Sequence, residues 1–138
     1  MIDESTEFGA RVVRHLREDV IVWLTTVTPA GGPLPNPVWF AWDGDDSLLV
    51  YSRPSARVRN IEANPRVSLN FTGDGRGGDI VVLSGRARVD HDAPPADRAA
   101  DYLQKYDAHI ARIGLTPATF AQRYSVPVRV DVMRVRGH

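Results

Sequence analysis

Connections of hairpin length separate most of the β-type segments in this chain. That spacing commits them to antiparallel pairing, because parallel neighbours need crossovers of roughly a dozen residues or more. Residues 20–28 are dense in β-branched and aromatic side chains (Val20, Ile21, Val22, Trp23) and predict a strand covered on both faces. Pro29-Ala30-Gly31-Gly32-Pro33 then turns the chain. A second strand over 36–42 carries its prolines at the entry, where a missing N–H removes little from the ladder. Asp43-Gly44-Asp45-Asp46 is a hairpin turn into a third strand at 47–52. Val67, Leu69 and Phe71 alternate with polar residues in a fourth strand. A Gly/Asp-rich loop over 73–78, read as a flexible hairpin, leads to a long fifth strand at 80–89, with Gly85 marking a bulge or bend. The last strand alternates at Val126, Val128, Val130 and Val132. Its phase slips at Met133, so that Val135 falls on the other parity, and a bulge is expected there.

Helical periodicity fills the gaps between strands. Val12, Val13 and Leu16 form the apolar stripe of an opening helix over 5–18. A short helix over 56–63 has Ser55 as N-cap, Val58 and Ile61 as buried stripe, and Asn64-Pro65 as its stop. Pro94-Pro95 opens a helix with Ala99, Tyr102, Leu103 and Tyr106 on one face, and Thr116-Pro117 caps another that runs through Tyr124. The expected fold is mainly β with peripheral helices: six antiparallel strands curled into a small barrel, in one domain over 1–138. A chain of 138 residues buries roughly two-thirds of its unfolded surface, enough for one core.

Composition narrows the function classes. With 17 basic and 17 acidic side chains the net charge is near zero, which supplies no long-range field for nucleic acid or an anionic bilayer. There is no cysteine, which removes disulfides, thiolate metal sites and cysteine nucleophiles. The opening Met1-Ile2-Asp3-Glu4-Ser5 is polar and acidic, unlike a secretion signal, and no apolar run approaches membrane-spanning length. The expectation is a cytoplasmic protein.

The chemistry-bearing stretch is Tyr51-Ser52-Arg53-Pro54-Ser55-Ala56-Arg57-Val58-Arg59-Asn60, where a strand hands over to a helix. A helix start offers free N–H groups and a positive dipole end, which suits a phosphate. Arg57 adds a permanently charged, forked donor. Arg57 and Asn60, three apart, are expected to share an outer face while Val58 and Ile61 turn inward. The competing reading is a surface helix whose arginines are merely solvated. Trp39, Phe40, Trp42 and Tyr51 gather on adjacent strands, either as core or as a wall for a planar heterocycle. Asp90-His91-Asp92 alternate in direction along a strand and do not converge on a metal, so no metal site is expected. The glycine loop lacks the Lys-Ser/Thr ending of a P-loop, and no Ser-His-Asp set or carboxylate pair is evident.

Several of these stretches, in this order, resemble the pyridoxamine 5'-phosphate oxidase-like split barrels, and within them the F420-dependent flavin/deazaflavin oxidoreductase branch. They are Trp23-Leu24-Thr25-Thr26-Val27, Gly31-Gly32-Pro33, Pro35-Asn36-Pro37-Val38-Trp39-Phe40, Leu49-Val50-Tyr51-Ser52, the section from Ser55 through Arg57, Asn60 and Asn64-Pro65-Arg66 to Val67, and Leu83-Ser84-Gly85-Arg86-Ala87. The resemblance implies a six-stranded split barrel that forms a homodimer with cofactor sites between the subunits. It implies a phosphate held at Arg57, with help from Ser52, Arg53 and Ser55, and Asn60 is a further candidate for contact with the cofactor. It places a tricyclic ring against Pro37, Val38 and Trp39, with Asn36 and Thr26 nearby. The implied activity is hydride transfer from reduced coenzyme F420 to an electron-poor small organic substrate, with Tyr51 or a water as the proton source. FMN remains the alternative cofactor, because both present a phosphate and a tricyclic ring, and a carrier that binds F420 or flavin without turnover is a third possibility. Arg53, Arg59 and Arg86 are candidates for the acidic tail of F420.

Overall fold

A computed structural model describes residues 2–138. Helix α1 (Glu7–Glu18) is capped by Thr6, whose side chain accepts from Gly9 N–H at 3.0 Å. Then follow β1 (Ile21–Val27), β2 (Pro33–Trp39), β3 (Ala41–Trp42) and β4 (Ser47–Ser52). Helix α2 (Ala56–Ala63) leads to β5 (Arg66–Asn70) and β6 (Val81–Val89). A 3-10 turn (Ala96–Arg98), α3 (Ala100–Arg112) and α4 (Pro117–Arg123) precede the last strand, β7 (Val126–Gly137). All strands join one antiparallel sheet in the order β2-β1-β5-β6-β7-β4-β3.

The expected second strand is two strands, and the sheet therefore has seven rather than six. It breaks at Phe40, which is fully buried and joins β2 at one edge of the sheet to β3 at the other. The Phe40 backbone belongs to neither strand. Its N–H donates to the Tyr106 hydroxyl at 2.8 Å, and its carbonyl accepts from Lys105 Nζ at 3.0 Å. The same hydroxyl lies 2.7 Å from Val20 O and 2.9 Å from Phe40 O, within donating reach of both. Two side chains of α3, Tyr106 and Lys105, thus replace the missing ladder bonds of a buried residue.

Strand β2 also starts earlier than expected, so Pro33, Pro35 and Pro37 lie inside it. The strand tolerates them because it pairs only with β1. Prolines two apart turn the same way, here toward the open edge, and cost no ladder bond. Strand β1 is fully buried on one face only, by Val22, Leu24 and Thr26. The strand covered on both faces is β4: Leu48 and Val50 point into the barrel core, while Leu49 and Tyr51 pack under α3 and α4 with Tyr102, Tyr106 and Phe120.

The bulge at the end of β7 is where the phase slip puts it. Ser84 pairs with Arg134 and Gly85 with Val132, which leaves Met133 unpaired and 64% exposed. A Cβ at Gly85 would collide with the Asp131 carbonyl, so the bulge needs glycine opposite it.

A cluster of charges pins α1 to the start of β6. His15 Nδ1 is 2.7 Å from Asp19 Oδ2, and its Nε2 is 2.9 Å from Asp79 Oδ1, which Arg11 also holds at 3.0 Å. Both ring nitrogens face acceptor-only groups, an arrangement that fits the imidazolium. Burial opposes that charge, but the two carboxylates outweigh it and raise the His15 pKa. Among the described residues no helix is long and apolar enough to cross a membrane.

A raised histidine pKa contributes stability that is complete below about pH 6.5 and disappears as pH climbs through the folded-state value. His15→Gln is expected to cost about 0.5–1 kcal/mol near pH 5.5 and markedly less near pH 9. Urea denaturation at both pH values measures this, and an equal loss at each would show that the charge is not involved.

Candidate functional site

Strand β4 ends at Ser52, and Pro54 prevents the chain from entering the helix before Ser55. Helix α2 then starts with Ser55 at its N-cap in an extended conformation, yet the Ser55 hydroxyl makes no capping bond. Ser55 Oγ is buried without a partner, and so is Arg57 Nε in the following turn. Arg57 has one anchor, its Nη1 donating to Ser52 Oγ at 3.0 Å, while Ser52 Oγ donates to Arg53 O at 2.8 Å. Arg57 forms no ion pair among the described residues. Burial draws its pKa below the usual guanidinium value, partly countered by Tyr124.

These groups open on a cavity of ≈ 420 Å³. Its floor is Pro37, Val38 and Trp39 of β2 with Tyr51 of β4, and its polar end is Arg53, Ser55 and Arg57. The far wall is Tyr102 of α3, Phe120 of α4, Tyr124, and Ile113, which is 50% exposed at the turn between the two helices. Among the described residues no carboxylate lines it, so two arginines and a helix start set its potential. Among the described residues, three of the four buried side-chain polar atoms without partners belong to residues around it: Ser55 Oγ, Arg57 Nε and Tyr102 Oη. Buried polar atoms are normally paired, so these three leave hydrogen-bonding capacity unused around one hollow.

The aromatic residues are already in use by the protein. Trp39 stacks on Tyr106 (centroids 4.8 Å, 6°) and on Phe120 (5.6 Å, 15°). Phe120 stacks on Tyr124 at 4.4 Å, and the Arg53 guanidinium sits 5.2 Å from the Tyr124 ring centre. This fixes the cavity's shape before anything enters it. The Tyr51 hydroxyl donates to Pro94 O at 2.6 Å, so its hydrogen is committed; the Tyr102 hydroxyl is not, and burial pushes its pKa up, which keeps it a neutral donor.

Of the residues singled out in the sequence, Arg53, Ser55, Arg57, Pro37, Val38 and Trp39 come together around the cavity, with Ser52 directly behind Arg57. Asn60 and Thr26 do not join them. Asn60 is 5% exposed and its side-chain amide donates to Thr26 Oγ1 at 3.1 Å, while Thr26 is fully buried. The expectation that Asn60 shares an outer face with Arg57 fails, because α2 has only eight residues and turns Val58, Asn60 and Ile61 inward together. Asn36 pairs with Leu24, a core residue, and stands outside the lining. Tyr102, Ile113, Phe120 and Tyr124 were not foreseen as lining; their apolar spacing matches any helix that covers a sheet.

With this geometry in place, a family model for pyridoxamine 5'-phosphate oxidase matches residues 8–137. The chain belongs to the pyridoxamine 5'-phosphate oxidase family. The split-barrel architecture of that family accounts for the curled antiparallel sheet with its peripheral helices. Among solved structures, one described as an F420 reductase is 29% identical, with 88% of this chain and 92% of that one covered at a TM-score of 0.65. A FAD-binding protein from Mesorhizobium loti is 22% identical (92% and 89% covered, TM-score 0.66). The heme storage protein HutZ from Vibrio cholerae is 17% identical (95% and 94%, TM-score 0.65). The last two, both under 25% identical, are similar to this chain in fold. No curated protein matches.

The geometry separates two roles along α2. Asn60→Ala is expected to destabilise the protein by about 1–3 kcal/mol, because it leaves Thr26 Oγ1 buried and unpaired. Arg57→Met is expected to leave stability unchanged or raise it by up to about 1 kcal/mol, since it removes a poorly solvated charge that has no counter-ion. Chemical denaturation of the two variants decides, and a large loss at Arg57 would make it a structural residue.

Proposed function

We propose that this protein is an F420H2-dependent oxidoreductase, active as a homodimer, that reduces an electron-poor small organic substrate. The observation that carries the reading is the pairing of a desolvated Arg57 with an unpartnered Ser55 hydroxyl at the start of α2, facing a cavity without carboxylates. An oxyanion such as a phosphate supplies the acceptors both groups lack, and two arginines are positioned to neutralise it. The 29% identical structure described as an F420 reductase supports the deazaflavin over other ligands. FMN is the second reading, favoured by the family's flavin-type members and by an anchor that fits either phosphate.

When bound, such a cofactor supplies the hydride chemistry itself. The roles of this chain are then binding, orientation and exclusion of water. Arg57 and Ser55 hold the anionic group, Arg53 and Ser52 support them, and Pro37, Val38 and Trp39 give the ring a rigid floor. Phe120, Tyr124 and Ile113 present an apolar side to the second reactant. The Tyr102 hydroxyl, protonated and unpaired, is better placed than Tyr51 to donate a hydrogen bond to a carbonyl oxygen.

Equilibrium fluorescence titration with F420 and FMN tests the proposal. F420 is expected to bind more tightly, and Arg57→Ala to weaken it roughly ten- to a hundredfold, equivalent to about 1.5–3 kcal/mol of charge-assisted bonding. Unchanged affinity in the variant would remove Arg57 from the site. A yellow protein that retains flavin would shift the cofactor to FMN, and tight F420 binding without reduction of quinones or enones would make the protein a carrier.

A further inference from the structure

Of the two arginines at the polar end of the cavity, Arg57 is half-buried and bonded to Ser52. Arg53 is exposed and forms no ion pair among the described residues. An arginine left free in that way moves through many conformers, and holding it on a ligand opposes binding. Here a ring restrains it. The Arg53 guanidinium carbon lies 5.2 Å from the centre of the Tyr124 ring, and both residues line the cavity. Strand pairing brings the two together. Ser52 at the end of β4 faces Val126 at the start of β7, so the residues just beyond the two strand ends meet.

Tyr124 is itself fixed. It ends α4, where its N–H donates to Phe120 O at 2.8 Å, and its ring stacks on that of Phe120. Phe120 stacks on Trp39 and Trp39 on Tyr106, each ring within 17° of the next. The Tyr106 hydroxyl is bonded to the Phe40 backbone, so this row of rings runs from the β2–β3 crossover to the cavity, and Arg53 ends it. Tyr124 also lies close enough to Arg57 to favour its charge. Attraction to a ring face is electrostatic and commits no N–H to an acceptor atom. Tyr124 therefore restrains Arg53 while leaving its forked donors available to a ligand.

We propose that Tyr124 is a positioning residue for the anion site, holding Arg53 in place as the second guanidinium that faces the bound anionic group. This role rests on the anion-binding reading of the corner. Under it, the aromatic wall and the charged end of the cavity act as one unit, and a change at the end of α4 alters anion affinity without touching either arginine. The ring face is the active part and the hydroxyl is not, so phenylalanine serves at this position and an aliphatic side chain does not.

The test compares Tyr124→Leu, Tyr124→Phe and Arg53→Gln in the full chain, with Arg57→Ala as the reference for the site itself. In the cofactor-free protein, nitrogen relaxation at the Arg53 Nε is expected to report an ordered group in the wild type and in Tyr124→Phe, and a mobile one in Tyr124→Leu. F420 and FMN are then titrated by fluorescence. Whichever binds, Tyr124→Leu is expected to weaken it roughly two- to fivefold and Tyr124→Phe by less than about twofold, as for an exposed cation–π contact. Arg53→Gln removes the group being positioned, so adding Tyr124→Leu to it is expected to weaken binding no further. Equal weakening by Tyr124→Leu with and without Arg53, or an Arg53 side chain as mobile in the wild type as in Tyr124→Leu, overturns the role of Tyr124. Should the leucine variant fail to fold, an Arg53 that is mobile in the wild type, or Arg53→Gln binding as tightly as the wild type, overturns it equally. Unchanged affinity in Arg57→Ala overturns the anion site itself, and the relaxation comparison keeps that failure distinct from one at Tyr124.

Discussion

The bond between the Tyr106 hydroxyl and the Phe40 amide decides more of this structure than any other single contact. Strands β2 and β3 are consecutive in the chain but lie at opposite edges of the sheet, so the peptide joining them has no strand neighbour to pair with. Phe40 is fully buried there, and an unpaired amide in that setting costs about 1–3 kcal/mol. Tyr106 meets the need from α3, and so fixes where that helix docks. The docked ring stacks on Trp39, which sets one wall of the candidate cavity. A backbone requirement of the barrel is therefore also what shapes the space beside it.

That space stores an electrostatic deficit. A buried guanidinium normally finds a carboxylate, as Arg129 does with Asp90 at 3.1 Å. Arg57 has only the Ser52 hydroxyl, and the adjoining Ser55 hydroxyl and helix start add further donors without acceptors. Desolvation without compensation is a cost in the free protein that an anion would recover. The donors are already held in place by α2 and the end of β4, so little ordering would oppose its binding.

Much of the fold was legible in the sequence because its signals are local. The parity slip at Met133 and the glycine at position 85 mark the two sides of one bulge, and both can be read without knowing that β6 and β7 pair. Helix α2 has its stop signal at Asn64-Pro65 and ends at Ala63. The break at Phe40 was not legible, since residues 36–42 have uninterrupted strand character and the reason for the break lies in Tyr106, 66 positions away. Asn60 was misplaced for a related reason. Spacing along a short helix says which residues share a face, but the Thr26 hydroxyl waiting in the core says which face a polar residue takes. That Arg53, Ser55 and Arg57 gather at one corner was legible from the strand-to-helix handover; the aromatic wall opposite was not, because helical spacing alone does not tell a lid from a core.

The barrel core and the cavity lining share few residues. Of the barrel core, built around Val22, Leu24, Val38, Phe40, Leu48, Val50, Leu69, Leu83, Val128 and Val130, Val38 alone reaches the lining. The rest of the lining comes from the outer faces of β2 and β4, the 53–57 turn, and the helical segment between β6 and β7. Substitutions at Arg53 or Arg57 alter charge at the cavity without touching either buried cluster, whereas Trp39, Tyr51, Tyr102 and Phe120 serve the lining and the packing of the helices at once. Structures similar to this one are described as an F420 reductase, a FAD-binding protein and a heme storage protein, all at TM-scores of 0.65 to 0.66. In this chain the lining carries two arginines, no carboxylate among the described residues, and an unpaired tyrosine hydroxyl.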